Sequence, residues 1–206
     1  MTTFDALIIG GGVAGMQCAL VLGSAKDKEF TKGKKIGIIL HQKNSHLQNA
    51  LFNNVLGMPP GTIGSNILTD GKNQLKELYP HVSHIENEKV NEVLKIENGY
   101  KIITNKGVYF SAIVVVALNY SKPFLIKGLE QFIIPHQKAN PSKDRIQLKN
   151  SSFLIDKELY VCGTIAGCRS QFSIAAGTGA IVATEILTLW NNGTPTKVHD
   201  KIKKPS

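Results

Sequence analysis

Phe4-Asp5-Ala6-Leu7-Ile8-Ile9-Gly10-Gly11-Gly12-Val13-Ala14-Gly15 is the stretch on which the reading of this chain turns. Its apolar run, residues 4–9, stops at glycines, as a strand buried on both faces does. Gly10, Gly12 and Gly15 then occupy the three places of the pattern G-x-G-x-x-G. In that pattern the first glycine permits a tight turn, the second lets the backbone approach a diphosphate, and the third lets helix and strand pack closely. A helix rich in Ala, Leu and Val is predicted from Val13 to Gly23. Its open N-terminus, around Gly12, Val13 and Ala14, offers N–H groups and a partial positive charge to an anion.

Working outward, Ile36-Gly37-Ile38-Ile39-Leu40 is a second buried strand, so residues 4–40 form a βαβ unit. Within such a unit the glycine pattern reads as a dinucleotide-binding turn, which it would not on its own. The acidic residue that usually holds the adenosine ribose is absent. The second strand ends Leu40-His41-Gln42-Lys43, leaving His41 or Gln42 to bond the ribose. A neutral or basic end also suits a 2′-phosphate, so this motif alone leaves NADP open beside FAD.

Further along, 41–61 is polar and rich in Gly and Pro, and 63–78 has a helical pattern. Strands are predicted near 89–95, 99–104 and 107–110, separated by the turn pairs Asn98-Gly99 and Lys106-Gly107. Ile113 to Ala117 is apolar throughout and reads as a central parallel strand. Residues 119–150 carry Pro123, Pro135 and Pro141 with little periodicity and read as a connector. A short strand at 159–162, a helix from Gln171 to Trp190 and a loose polar tail, 191–206, complete the chain. The fold expected is α/β and Rossmann-like: a central parallel sheet, a three-stranded β-meander and flanking helices.

The 206 residues are 42% hydrophobic and 19% charged, the composition of a globular protein. No apolar run approaches the ~20 residues that cross a bilayer, and the start shows no export signal, so a cytoplasmic protein without membrane association is expected. Three cysteines argue against a disulfide framework. The net charge of +9 is spread over scattered lysines without interleaved aromatics, which speaks against nucleic acid and leaves a solvated surface or a docking face for an acidic redox partner. His46, His81, His84 and His136 have no metal-ligand spacing, and no metal is expected. Trp190 reads as packing.

A second segment narrows the cofactor. Leu159-Tyr160-Val161-Cys162-Gly163-Thr164-Ile165-Ala166-Gly167, continuing through Gln171-Phe172-Ser173-Ile174-Ala175-Ala176-Gly177-Thr178-Gly179, resembles the C-terminal flavin motif of the thioredoxin reductase family. That resemblance implies FAD, with Gly163 and Thr164 along the ribityl chain and Gln171 and Phe172 at the pyrimidine edge of the flavin. A helix N-terminus there would favour the negative charge of reduced flavin. Gln48-Asn49 before Ala50 is similar to a Pro-Arg-Asn-Ala stretch of related dithiol oxidases. By the same resemblance Val90 meets adenine, and Ala117-Leu118-Asn119 stands in place of an Ala-Thr-Gly turn. The likeness runs from residue 4 to about 190, which gives one FAD-binding domain over 1–190, with flavin segments 1–118 and 151–190 joined by 119–150.

Several departures qualify the activity. The family's inserted nicotinamide domain has no room in 119–150, since a domain typically takes ~100–150 residues. A second G-x-G-x-x-G and a Cys-x-x-Cys are both missing. Thr164 replaces an Asp, giving up charge-assisted hydrogen bonds, and Asn119 replaces a Gly that it can mimic at positive φ. Cys162 and Cys168 are the candidate catalytic thiols, to be weighed against a buried small hydrophobe and an ordinary loop thiol. The expectation is an FAD oxidoreductase that trades electrons with a partner protein, free NAD(P)H or a small thiol/disulfide substrate, as a homodimer by analogy. The alternative is a non-catalytic flavin- or NADP-binding regulatory module.

Overall fold

The computed structural model describes residues 2–41 and 45–199. Its first elements are β1 (Thr2–Ile9), α1 (Val13–Ser24), β2 (Ile36–Leu40), the short pair β3 (Leu51–Phe52) and β4 (Thr62–Ile63), and α2 (Gly64–Leu78). β5 (Val82–Glu86), β6 (Val90–Ile96), β7 (Gly99–Thr104) and β8 (Val108–Val116) come next. β9 (Ile133–Pro135), β10 (Ile146–Leu148), β11 (Leu154–Asp156), β12 (Leu159–Val161) and α3 (Phe172–Trp190) follow.

One sheet in the order β11-β12-β8-β1-β2-β5 carries the fold, with the β6–β7 hairpin attached to β8. β12, β8, β1, β2 and β5 run parallel. Alternation along β1 sorts the core into two layers. Ala6 and Ile8 face the helices with Cys18, Leu22, Val182 and Ile186, while Leu7 and Ile9 face the meander with Val93, Tyr100 and Ile102. The architecture is thus α/β and Rossmann-like, with a parallel sheet, a meander and flanking helices.

Residues 107–110 and 113–117, expected as two strands, are one. β8 pairs antiparallel with β7 over its first half and parallel with β12 over its second, while β1 lines its other edge throughout. Its burial records the change: mixed over Val108–Ala112, unbroken from Ile113. A strand covered on one face alternates, and one covered on both does not. β5 was not expected at all. Val82-Ser83-His84-Ile85-Glu86 is an edge strand with two buried residues, too few to stand out.

The stretch 119–150 is ordered rather than plain connector. Ile126, Leu129, Ile146 and Leu148 are buried in the meander-side layer, and β9 pairs antiparallel with β10. Three-residue strands are too short for alternation to register. The tail expected to be loose is partly docked over its described part: Thr196 N donates to Thr188 Oγ1 and Val198 packs on the helical layer. The expectation that no apolar segment is long enough for a bilayer also needs correcting. α3 is 19 residues, long and apolar enough to cross by length and composition, with Val182, Ala183, Ile186 and Leu187 buried. Its interspersed Gly, Thr and Ser residues and Glu185 interrupt any unbroken apolar run, although the helix itself was expected. α3 packs closely on α1, where a side chain at Gly179 would meet Ala14 O. Trp190 packs against the helical layer with Lys34 Nζ 5.5 Å from its ring centre, as the packing reading expected.

Candidate functional site

A cleft of about 890 Å³ opens at the carboxyl ends of β1, β2, β8 and β12. Chain connections leave β1 for β2 on one side while β8 lies on the other, which is where open α/β sheets take ligands. Its volume is in the range of small-molecule and cofactor sites, ~300–1,000 Å³.

Two helices aim their N-termini at it. Gly12, Val13 and Ala14 line the cleft at the start of α1, and Gln171, Phe172 and Ala175 at the start of α3. Neither N-cap residue, Gly12 or Gln171, caps its helix with a side chain, and neither helix has an acidic residue in its first turn. First-turn N–H groups have no intrahelical partner, so each end is a donor cluster with partial positive charge. Gly10 adopts φ +119°, and a side chain there would collide with Ala117 O. At Gly12, among the described residues, nothing beyond the adjoining chain lies within 4 Å of where a Cβ would sit, so the main chain stands open to a ligand.

The residues singled out in the sequence converge. Gly10, Gly12, Val13 and Ala14 line one wall, with His41 past the end of β2. Gln48 and Asn49, on the 3-10 turn His46–Asn49, form the next, and Val90 stands at the head of β6. Ala117 and Leu118 follow β8, and Gly163, Thr164, Gln171 and Phe172 complete the lining, with Gly163 beside Ala14. Gly15 is behind the wall, where a Cβ would strike Gly10 O, so its role is close packing. Gln42 lies outside the described residues.

Neither candidate thiol lines the cleft. Cys162 is fully buried, and burial, with Cys18 and Cys168 nearby, pushes its pKa well above the usual thiol range. Cys168 is half-buried and raised for the same first reason, against a weaker opposing pull from Lys138. Raised thiol pKa values and positions outside the lining favour the readings of Cys162 as a buried small hydrophobe and of Cys168 as a loop thiol.

The substituted positions find local solutions. Asn119 does not take a positive φ; its side chain accepts from Ser121 N at 3.0 Å, an Asx turn in place of the glycine. At Thr164 the chain enters a 3-10 turn after Gly163, whose φ is +79°. Gly163 N donates to buried Thr178 Oγ1 at 2.8 Å, which ties the turn to α3.

Some lining residues had no signal in the sequence. Glu88 and Lys89 stand before Val90, and Glu88 accepts from Thr104 Oγ1 at 2.6 Å and from Tyr109 Oη at 2.9 Å. Phe124, Leu125 and Ile126 come from the stretch read as connector. His46 and Ser121 face the cleft from two separate loops, with Ser121 Oγ 3.4 Å from His46 Nε2. A pattern search cannot find such pairs, because only the fold makes them neighbours.

No protein-family model matches the sequence, and no curated protein does. Solved structures do. A thioredoxin reductase from Gloeobacter violaceus superposes with a TM-score of 0.72 at 14% identity, over 99% of this chain and 100% of that one. An oxidoreductase from Agrobacterium tumefaciens gives 0.68 at 13% identity, over 92% and 99%. A ferredoxin-flavin thioredoxin reductase from Clostridium acetobutylicum gives 0.67 at 15% identity, over 93% and 99%. At these identities the likeness is one of fold, and the fold is that of thioredoxin reductases and related oxidoreductases.

Proposed function

We propose that this chain is an FAD-dependent oxidoreductase whose flavin exchanges electrons with a partner protein, free NAD(P)H or a thiol/disulfide substrate. The observation that carries this reading is the pair of uncapped helix N-termini, of α1 and α3, facing one elongated cleft. An anionic diphosphate suits the first and an electron-rich flavin edge suits the second. Gly10, Gly12, Val13 and Ala14 would hold the diphosphate, His41 and Val90 the adenosine, and Gly163, Thr164, Gln171 and Phe172 the ribityl chain and flavin. Gln48, Asn49, Ala117 and Leu118 would wall the ring. Flavin, when bound, supplies hydride or electron transfer, and the protein supplies binding, orientation and electrostatics.

A second reading, a non-catalytic flavin- or NADP-binding module, draws support from two observations. No thiol reaches the cleft, and the β2 end carries His41 with Lys89 also in the lining. Titration of the protein with FAD and with NADPH, followed by anaerobic reduction with NAD(P)H, dithiols and dithionite, separates the readings. Tight FAD binding with reduction by a biological donor supports the enzyme. FAD that only dithionite reduces, or a preference for NADPH over FAD, supports the module.

A further inference from the structure

Beside the cleft, four side chains from three separate segments form a column. Tyr120 is its hub. His46 packs edge-on at 5.5 Å between ring centres, His136 does so at 5.3 Å, and the Arg145 guanidinium carbon is 5.1 Å from the Tyr120 ring centre. The loop end of the β9–β10 hairpin presents both His136 and Arg145, with His136 N donating to Arg145 O at 2.9 Å. Each end of the column holds a cleft wall. His46 begins the turn that carries Gln48 and Asn49. Buried His136, whose Nδ1 accepts from Lys138 N, points Nε2 at Thr164 O, 3.1 Å away. Those two bonds select the tautomer with the proton on Nε2.

We propose that the β9–β10 hairpin is a clamp, and that Tyr120, His136 and Arg145 are positioning residues that hold the Gln48–Asn49 turn and the Thr164 turn at the spacing a bound dinucleotide needs. The inference rests on the FAD reading for its ligand, though the clamp itself is a property of the protein alone. Arg145 supplies the argument for position over mere stability. Its Nη1 donates to Ser121 Oγ at 2.6 Å, yet its buried Nε has no hydrogen-bond partner among the described residues. A buried unpaired donor works against stability, so a residue serving packing alone would be better apolar. What the guanidinium does is fix two things at once: it caps the Tyr120 ring, and it places Ser121, which reaches His46. Ser121 accepts from Arg145 and so turns its own O–H toward the His46 nitrogen.

Hydrogen exchange and FAD titration test this with Tyr120→Ala, Arg145→Met and the ring-preserving Tyr120→Phe. The clamp predicts faster amide exchange in ligand-free protein at residues 45–50 and 163–167 for the first two variants, with β1 and α1 exchanging as before. Tyr120→Phe should restore protection. FAD affinity should fall roughly tenfold in the first two, about 1.4 kcal/mol, with an altered visible band shape and little change in melting temperature. Wild-type exchange at both segments in Tyr120→Ala and Arg145→Met overturns the clamp, and so does a uniform loss of protection across the whole chain. If the unaltered protein binds no FAD, the cofactor reading fails while exchange still judges the clamp.

Discussion

Around the glycine turn the cleft is walled by main chain, whereas the Gln48–Asn49 and Thr164 turns are backed by side chains that stand mostly outside the lining. On the first side Gly10, Gly12 and the first turn of α1 present backbone groups, and Gly15 and Gly179 let neighbouring chain come close. On the second, Tyr120, His136, Arg145 and His46 meet through rings, a guanidinium and a serine hydroxyl. Backbone walls tolerate few substitutions, because geometry leaves no substitute for a missing Cβ. Side-chain walls depend on which residues the fold happens to bring together, and they can be retuned one contact at a time.

Substitutions at the two walls should therefore fail differently. The largest effect is expected at Gly12, the N-cap of α1, with φ −80° and open space beyond its Cα. Gly12→Asp should cap the helix and stabilise the ligand-free protein by a few tenths of a kcal/mol, yet place a carboxylate where the diphosphate belongs. Calorimetry should find FAD binding weakened by more than about 100-fold, or about 2.7 kcal/mol, with an unchanged or higher melting temperature. A joint fall in both would show that Gly12 serves the fold rather than the ligand. Gly10→Ala should cost about 2–4 kcal/mol in urea unfolding, through positive φ and the collision with Ala117 O.

Thr178→Val isolates a side-chain contribution to the Gly163–Thr164 turn. It leaves buried Gly163 N unpaired, so urea unfolding should report a loss of about 1–3 kcal/mol. Smaller again is the dependence on acidity. His46, His81 and His84 are each held below the ordinary imidazole value of 6.5, first by burial; Arg145 adds to this at His46 and Lys26 at His81, while at His84 burial outweighs the opposing pull of Glu86, with Lys76 and Lys72 adding less. The unfolded chain then binds more protons than the folded one as pH drops below about 6.5. Stability from these groups is complete above that value, and the urea midpoint should fall between pH 7 and pH 5. The smallest effect is expected at the thiols. Cys18 and Cys162 are fully buried with raised pKa, so an aromatic disulfide reagent at pH 7 should leave both unmodified in the folded protein.

The same contrast explains what the sequence disclosed. Gly10, Gly12 and Gly15 were legible because a backbone site is local: strand, turn and helix follow one another, and spacing encodes geometry. Gly163, Thr164 and Gln171 were reached by another route, the resemblance of residues 159–179 to a family's flavin motif. β1, α1, β2, α2 and α3 announced themselves by unbroken apolar content or period. β5 and the β9–β10 hairpin did not, because three to five residues at an edge carry little pattern. The pairing of His46 with Ser121, and of Tyr120 with Arg145, depends on contacts between distant segments, for which neither composition nor spacing offers a cue. Cys162 and Cys168 left two readings open for a related reason: sequence proximity to the second turn says nothing of which way a thiol faces.

The most direct test of the account is the visible spectrum of freshly purified protein, with the cofactor released by denaturation and identified. The account predicts flavin bands and released FAD in about one-to-one ratio with the chain, one cleft holding one dinucleotide. A colourless protein that added FAD fails to reconstitute would contradict it.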